Sequence, residues 1–401
     1  MRIVIFNVRY SPNLGDGILA ECLERELGLA LPGAEIETVD LAGRVSYGTQ
    51  DAGRSQALRL LQAMPPFFRR KLVERVIGAR LSALRDTWRQ KIAEADAVII
   101  GGGNLFQDDD LNFPLKIAQV LELCRETGRP VAIHAVGVGR NWSPRAVRLF
   151  ETLRRCRVIR LTVRDPGARR NWRQHFPDWP SPDLAPDPAL TLQPAANTVR
   201  AHVPPLVGLC VTNPLVLKRH AGPGRDIPLA TVGDYLALAD TLQETGCNVL
   251  FFTNGAVEDQ ASLKQIEDKI AGTRTVVSTR YRFARRPCTP QELIALIGTL
   301  DVVAAHRLHA CITAYALGVP PVGLGWDQKV GAFFRMIDCE PFFVPTHKGG
   351  VGSIAERIQK VLTQKDGAFF QHPSKEKARE AIGDLAEDLK RSTCGLQPAR
   401  V

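Results

Sequence analysis

Short apolar runs alternate with amphipathic stretches along the whole chain. RIVIFNV (2–8) predicts a strand buried on both faces, NLGDG (13–17) a turn, and ILAECLERELGLAL a helix ending near Pro32. EIETVDL (35–41) predicts a second strand, and ADAVIIGGGN (95–104) a third that runs into glycines. In LKIAQVLELCRETG (115–128) the apolar positions recur at three- and four-residue spacing, and Gly128 stops the helix. PVAIHAVGVG (130–139) predicts a strand and a glycine turn, and VIRLTVRD (158–165) a strand and a charged loop. Between Gly53 and Glu94 lie two helix-like stretches divided by Met64-Pro65-Pro66.

Proline and alanine crowd residues 182–205, and the pattern then restarts. PLVGLCV (205–211) is a new first strand, YLALADTLQETG (235–246) its helix, and CNVLFFTN (247–254) the next strand. TPQELIALIGTL (289–300) predicts a helix with Thr289 as N-cap and Glu292 completing a capping box. DVVAAHRLH (301–309) is strand into loop, ACITAYALG (310–318) a helix, and VPPVGLG (319–325) a further strand. SKEKAREAIGDLAEDLKRS (374–392) is a late helix capped by Ser374.

Strand–helix alternation with loaded loops at the strand ends implies parallel sheets. The expected fold class is α/β, with two Rossmann-like doubly wound domains facing a cleft. The boundaries expected are 1–190 for the first domain, with a helical insertion at 53–94, and 200–365 for the second. A C-terminal helix in 366–401 is expected to return to the first domain. The length of 401 residues agrees with two cores rather than one.

Composition changes this picture little: 45% hydrophobic and 23% charged residues are those of a globular chain. The nine cysteines are scattered without a CxxC pair, which points to reduced thiols rather than disulfides or zinc. The N-terminal apolar run is too short for a signal-peptide core, so a cytoplasmic location is expected. FFRRKLVERVIGARL (67–81) has a basic face and an apolar one. It reads first as a helix covering the sheet, and second as a contact with the inner face of a membrane or with a lipid-linked substrate.

A net charge of +10 favours anionic partners. Eleven arginines fall between Arg140 and Arg173, but only Trp142, Phe150 and Trp172 are interleaved, so no specific nucleic acid is expected.

The candidate chemistry lies at strand ends. Asn13, Gly15 and Asp16 in NLGDG suit a ligand loop, with Asp16 alternatively a helix N-cap. Gly102, Gly103 and Asn104 in GGGN offer an amide nest for phosphate or carboxylate, but match neither GxGxxG nor a P-loop. His134 reads as a core residue. Arg164 is placed to fork onto an anion. In HRLH (306–309), Arg307 and His309 end a strand and open a helix, where an anion is favoured and a histidine can exchange protons. His306 is out of phase with them. Lys329 adds a cation at the next strand end, with Asp327 to position it. No second ligand cluster stands nearby, so no metal is expected.

Taken together, NLGD, GGGNLF, VRD, PDPAL, HRLHACITAYALGVP and WDQKV resemble, in order and spacing, the polysaccharide pyruvyl transferase family. The resemblance spans most of the chain and implies a glycosyltransferase-B-like pair of domains. It implies phosphoenolpyruvate as donor, a glycan or lipid-linked sugar as acceptor, a pyruvate ketal as product, and no bound cofactor. The family's R-x-H arginine and histidine, which serve the donor, fall on Arg307 and His309, and its VRD arginine on Arg164. Where the family often has a serine after VRD, this chain has Ala168 or Arg169, and Trp326 replaces a usual tyrosine. Two other readings stand beside this one. One is a nucleotide-sugar glycosyltransferase with Glu258-Asp259 on the ribose. The other is a non-catalytic anion- or RNA-binding protein.

Overall fold

Runs such as RIVIFN and VAIHAV, apolar on both faces, become strands that helices cover from two sides. The computed structural model describes residues 1–48, 64–193, 202–221, 226–273, 281–347, 349–364, 370 and 372–393. The chain folds as two units. The first comprises Met1–Ser11, Leu19–Pro188 and the stretch from Glu376 on; the second comprises Pro12–Ile18 and Ala189–Lys375.

The first unit carries strands β1 (Arg2–Asn7), β2 (Glu35–Asp40), β3 (Ala97–Gly101), β4 (Val131–Val136), β5 (Val158–Val163) and β6 (Asp183–Leu184). They form one parallel sheet in the order β2-β1-β3-β4-β5-β6. Its helices are α1 (Leu14–Ala30, its first turn grouped with the second unit), α2 (Pro66–Glu94), α3 (Asn112–Thr127), α4 (Pro144–Phe150) and α5 (Pro166–His175). On one face Leu23 and Leu27 of α1 cluster with Ile3, Ile5 and Ile99. Ile382, Leu385 and Leu389, from the helix Ser374–Thr393, join the same cluster. Arg160 of β5 pins that last helix through Asp388 (2.6 Å) and Asp384 (2.9 Å). On the other face Trp88 and Ile92 of α2 and Ile117, Leu121 and Cys124 of α3 pack with Phe6, Val98 and Ile133.

The second unit repeats the plan. Strands β7 (Leu206–Cys210), β8 (Asn248–Phe252), β9 (Tyr281–Phe283), β10 (Val302–Ala305), β11 (Pro321–Leu324) and β12 (Phe343–Val344) are parallel, in the order β12-β11-β10-β7-β8-β9. Its helices are α6 (Pro214–Ala221), α7 (Val232–Glu244), α8 (Val257–Thr273), α9 (Pro290–Gly298), α10 (Leu308–Ala316), α11 (Gln328–Met336) and α12 (Val351–Thr363); the following α13 (Ser374–Thr393) belongs to the first unit from Glu376 on. Strand order reverses between β1 and β3 in one sheet and between β7 and β10 in the other. Open parallel sheets bind ligands beyond the carboxyl ends of strands at such reversals.

Several local expectations need correction. NLGDG is not a turn: α1 already starts at Leu14, because Asn254 O accepts the Leu14 N–H (3.0 Å) and extends the usable helix backward. The helix expected at 310–318 starts at Leu308, which puts Arg307 at its N-cap and His309 in its first turn. Thr289 caps α9, but the Glu292 carboxylate takes the N–H of Cys288 rather than that of Thr289, so the box is not closed. Ser374 is the first residue of α13 rather than the residue before it. The stretch 67–81 is part of one long helix that runs on to Glu94. The insertion's first half, 53–63, lies outside the described residues. The described cysteines are all free, and Cys288 among them is exposed.

Candidate active site

In the second unit the site is built on α10. Every residue from His309 to Ala316 is buried, so the helix holds its own N-terminus still. Arg307 sits at the N-cap in an extended conformation and gives the helix no side-chain cap. Its guanidinium turns instead to Asp259 in the first turn of α8. Nε (3.1 Å) and Nη2 (2.6 Å) both donate to Oδ2. The other carboxylate oxygen accepts the Asn213 N–H at 2.8 Å. Burial lowers the arginine's pKa, but the carboxylate beside it more than restores it. Burial raises that of Asp259, opposed by the guanidinium. Asp259 has no exposed side chain and both its oxygens are engaged, so it is not available to a ribose, against the Glu258-Asp259 expectation.

His309 is buried and directed at the N-terminal loop. Its Nδ1 lies 3.3 Å from Asp16 Oδ1. A carboxylate only accepts, so a neutral imidazole here carries its proton on Nδ1 and its lone pair on Nε2. Asp16, in the first turn of α1, is further held by Asn13 Nδ2 at 3.3 Å, and Asn13 Oδ1 accepts from Asn254 Nδ2. Gly15 is required by contact: a Cβ there would overlap the Cβ of His309. Asp16 therefore serves as the imidazole's partner rather than as a helix cap.

His306 has a different role. Its Nε2–H donates to Pro228 O (2.6 Å), and burial lowers its pKa to about 4, so it is a neutral structural group. Its carbonyl accepts the Trp326 indole N–H (2.8 Å), which ties the loop after β10 to the loop after β11. On that second loop Asp327 is the N-cap of α11, accepting from the Lys329 N–H (2.9 Å). Its other oxygen stands 3.4 Å from Lys329 Nζ, whose side chain is 36% exposed. Lys329 is thus a half-solvated rim cation, whereas Arg307 is mostly buried.

The remaining candidates lie in the first unit. Arg164 follows β5 and is buried, with Nη1 3.3 Å from Asp187 Oδ2 and Nε 3.7 Å from Asp165 Oδ2. Asp165 caps α5 through the Ala168 N–H (2.9 Å). Asn104 and Arg164 meet at Gly137, where a Cβ would be 2.5 Å from Asn104 Oδ1 and 3.1 Å from Arg164 Nη2. Gly102 and Gly103 both have positive φ (75° and 76°). The nest of three amides is corrected, because the Gly102 N–H is donated to His134 O at 2.9 Å. Gly102 serves packing, since a Cβ would overlap Leu19. His134 is wholly buried in β4, and burial lowers its pKa to about 3.

The structure therefore joins Asn13, Gly15, Asp16, Arg307 and His309 in one constellation of the second unit, with Asp327 and Lys329 on the adjoining loop. It joins Asn104 and Arg164 in another, within the first unit. The residues missed in sequence are Asn213, Asn254 and Asp187; Asp259 was read only as a ribose partner, not as the carboxylate that holds Arg307. Asp187 lay in the segment taken as a boundary, and Asp259 is 48 positions from its partner. The acidic first turn after the CNVLFFTN strand was the available signal. Among the described residues no three His, Cys, Asp or Glu side chains gather as a metal site.

The family model for polysaccharide pyruvyl transferase matches residues 13–328, most of the chain, from the Asn13 loop to the start of α11. The chain belongs to the polysaccharide pyruvyl transferase family. No individual curated protein matches it. Among solved structures, the pyruvyl transferase family chain is similar to an α,α-trehalose-phosphate synthase (UDP-forming) from Burkholderia xenovorans. That likeness has a TM-score of 0.57 at 12% identity and covers 98% of this chain and 100% of that one. It is also similar to a UDP-GlcNAc 2-epimerase from Methanocaldococcus jannaschii (TM-score 0.53, 10% identity, 94% and 97% covered). At such identity the likeness concerns the fold alone: two Rossmann-like domains of the glycosyltransferase-B kind.

Proposed function

We propose that this family member moves the pyruvyl group of phosphoenolpyruvate onto a pair of hydroxyls of a sugar in a cell-surface glycan or its precursor. The observation that carries the reading is the pairing of a mostly buried Arg307 with a His309–Asp16 dyad, two residues apart at one helix N-terminus. Phosphoenolpyruvate carries a carboxylate and a phosphate, and a mostly buried guanidinium with planar N–H donors suits either group.

In this reading His309, oriented by Asp16 at Nδ1, enters the reaction as the imidazolium: Nε2 delivers its proton to the methylene carbon of the donor, makes the neighbouring carbon oxocarbenium-like, and takes a proton back from the attacking sugar hydroxyl. One sugar hydroxyl adds there, phosphate leaves, and a second hydroxyl closes the ketal. One hydroxyl proton ends on the new methyl group and the other departs with phosphate, so the sum balances. Arg307 holds the donor anion, Lys329 adds rim charge, and Arg164 with Asn104 forms a further polar group at a strand end of the first unit. The protein acts in this account without a bound cofactor.

Phosphate release from phosphoenolpyruvate, followed across a panel of acceptor glycans, tests the reading. Acceptor-dependent release is expected. Release from none of them, together with heat stabilisation by UDP-sugars and not by phosphoenolpyruvate, would overturn it in favour of a nucleotide-sugar enzyme.

A further inference from the structure

Helix α2 has two apolar stripes. One faces inward along its length, with Leu81, Trp88 and Ile92 buried and Ile77 and Leu84 packed beside them. The other lies on the opposite side and exists only in the first half: Phe68, Leu72 and Val76, spaced by four, are 61%, 41% and 61% exposed. Met64, just before the helix, is also exposed. The same outward side in the second half carries Asp86, Thr87, Gln90 and Glu94 instead. An outward apolar row is therefore a property of one half of the helix and not of its packing.

Charge follows the same division. Beside the apolar row stand Arg69, Lys71, Arg75 and Arg80, with Glu74 the single carboxylate between Pro66 and Leu81. Glu74 is paired with Arg145 at 3.2 Å. An apolar row bordered by cations is the pattern of a helix lying in the headgroup region of an anionic bilayer. Arg69 also bonds Asp110 (3.0 Å), so this half of the helix is fixed to the turn that follows the GGGN loop. That turn holds three successive residues of positive φ, Asp109, Asp110 and Leu111. Among the described residues no helix is long and apolar enough to cross a membrane, so the contact would be peripheral.

We propose that the outward face of the first half of α2 docks on an anionic lipid surface, its apolar row entering the interface and its arginines and lysine meeting the headgroups. The inference stands on the helix itself. Only one consequence rests on the transferase reading, namely that a lipid-linked acceptor would be met at this surface.

The test is vesicle co-sedimentation of the full chain without phosphoenolpyruvate, which separates its outcome from that of the transferase reading. Vesicles of phosphatidylcholine with phosphatidylglycerol should retain the protein. Vesicles of phosphatidylcholine alone should retain about tenfold less, and added salt should weaken but not erase the binding. The triple variant Phe68→Ser, Leu72→Ser, Val76→Ser should lose about tenfold or more of the bound fraction while melting as the parent does, because these side chains leave the core untouched. Equal binding to neutral vesicles, or undiminished binding by the folded triple variant, would overturn the proposal. So would a parent that ignores vesicles but sediments as a dimer that the triple variant dissolves, which would assign the face to a second copy of the chain.

Discussion

Each unit places an arginine just past a strand end, Arg164 buried and Arg307 mostly so, yet the two are held differently. Arg307 gives two N–H groups to a single oxygen of Asp259, at 3.1 and 2.6 Å, and Asp259 is itself fixed by the Asn213 amide. Arg164 is held by longer contacts, 3.3 Å to Asp187 and 3.7 Å to Asp165, and Asp165 already serves as a helix cap. The first arrangement is preorganised, with its ion pair complete before any ligand arrives. The second leaves the guanidinium near Asn104 with looser ties, so it can exchange a carboxylate for an incoming anion at lower cost. In the proposed reaction, the difference suits Arg307 to fixed donor binding and Arg164 to adjustment.

The comparison breaks most directly at the carboxylates. Asp259→Ala leaves a mostly buried guanidinium uncompensated and should cost about 3–5 kcal/mol of stability. Asp187→Ala, which removes a longer contact, should cost about 1–3 kcal/mol. Urea unfolding of both variants checks the order; equal losses would erase the distinction between a locked and an adjustable arginine.

The buried histidines sharpen it further. His134 in the first unit and His306 in the second are held neutral, their pKa values lowered to about 3 and about 4 from 6.5, first by burial. In the unfolded chain both protonate near 6.5, so below that pH the unfolded state binds more protons. Their contribution is complete above about pH 6.5 and is lost as pH falls toward 4 for His306 and 3 for His134, a few kcal/mol each in order of magnitude. Unfolding free energies measured from pH 7 to 4 should fall, and His306→Gln should flatten the slope. A slope that stays unchanged in that variant would contradict the buried neutral assignment.

Much of this was legible in the chain because it is local. Alternating apolar runs and amphipathic segments specify parallel sheets, and a strand running into HRLH and a greasy helix marks Arg307 and His309. What stayed hidden depends on contacts distant in sequence. NLGDG has the composition of a turn, and only the Asn254 carbonyl, 240 positions from Leu14, turns it into the start of α1. Asp187 sits among prolines that read as a linker. The glycines of GGGN suggested an amide nest, but a strand carbonyl takes one of those amides. Gly15 carries no sequence mark of its role, since its need for no side chain arises from His309.

In the proposed reaction His309, oriented by Asp16, moves the proton while Arg307 holds the donor. The direct measurement is single-turnover phosphate release, with phosphoenolpyruvate affinity determined in parallel, for His309→Ala. The expected rate is lower by about 10²–10⁴-fold with donor affinity within about tenfold of the parent. Turnover retained near the parental rate, in a variant that still binds phosphoenolpyruvate, would contradict it.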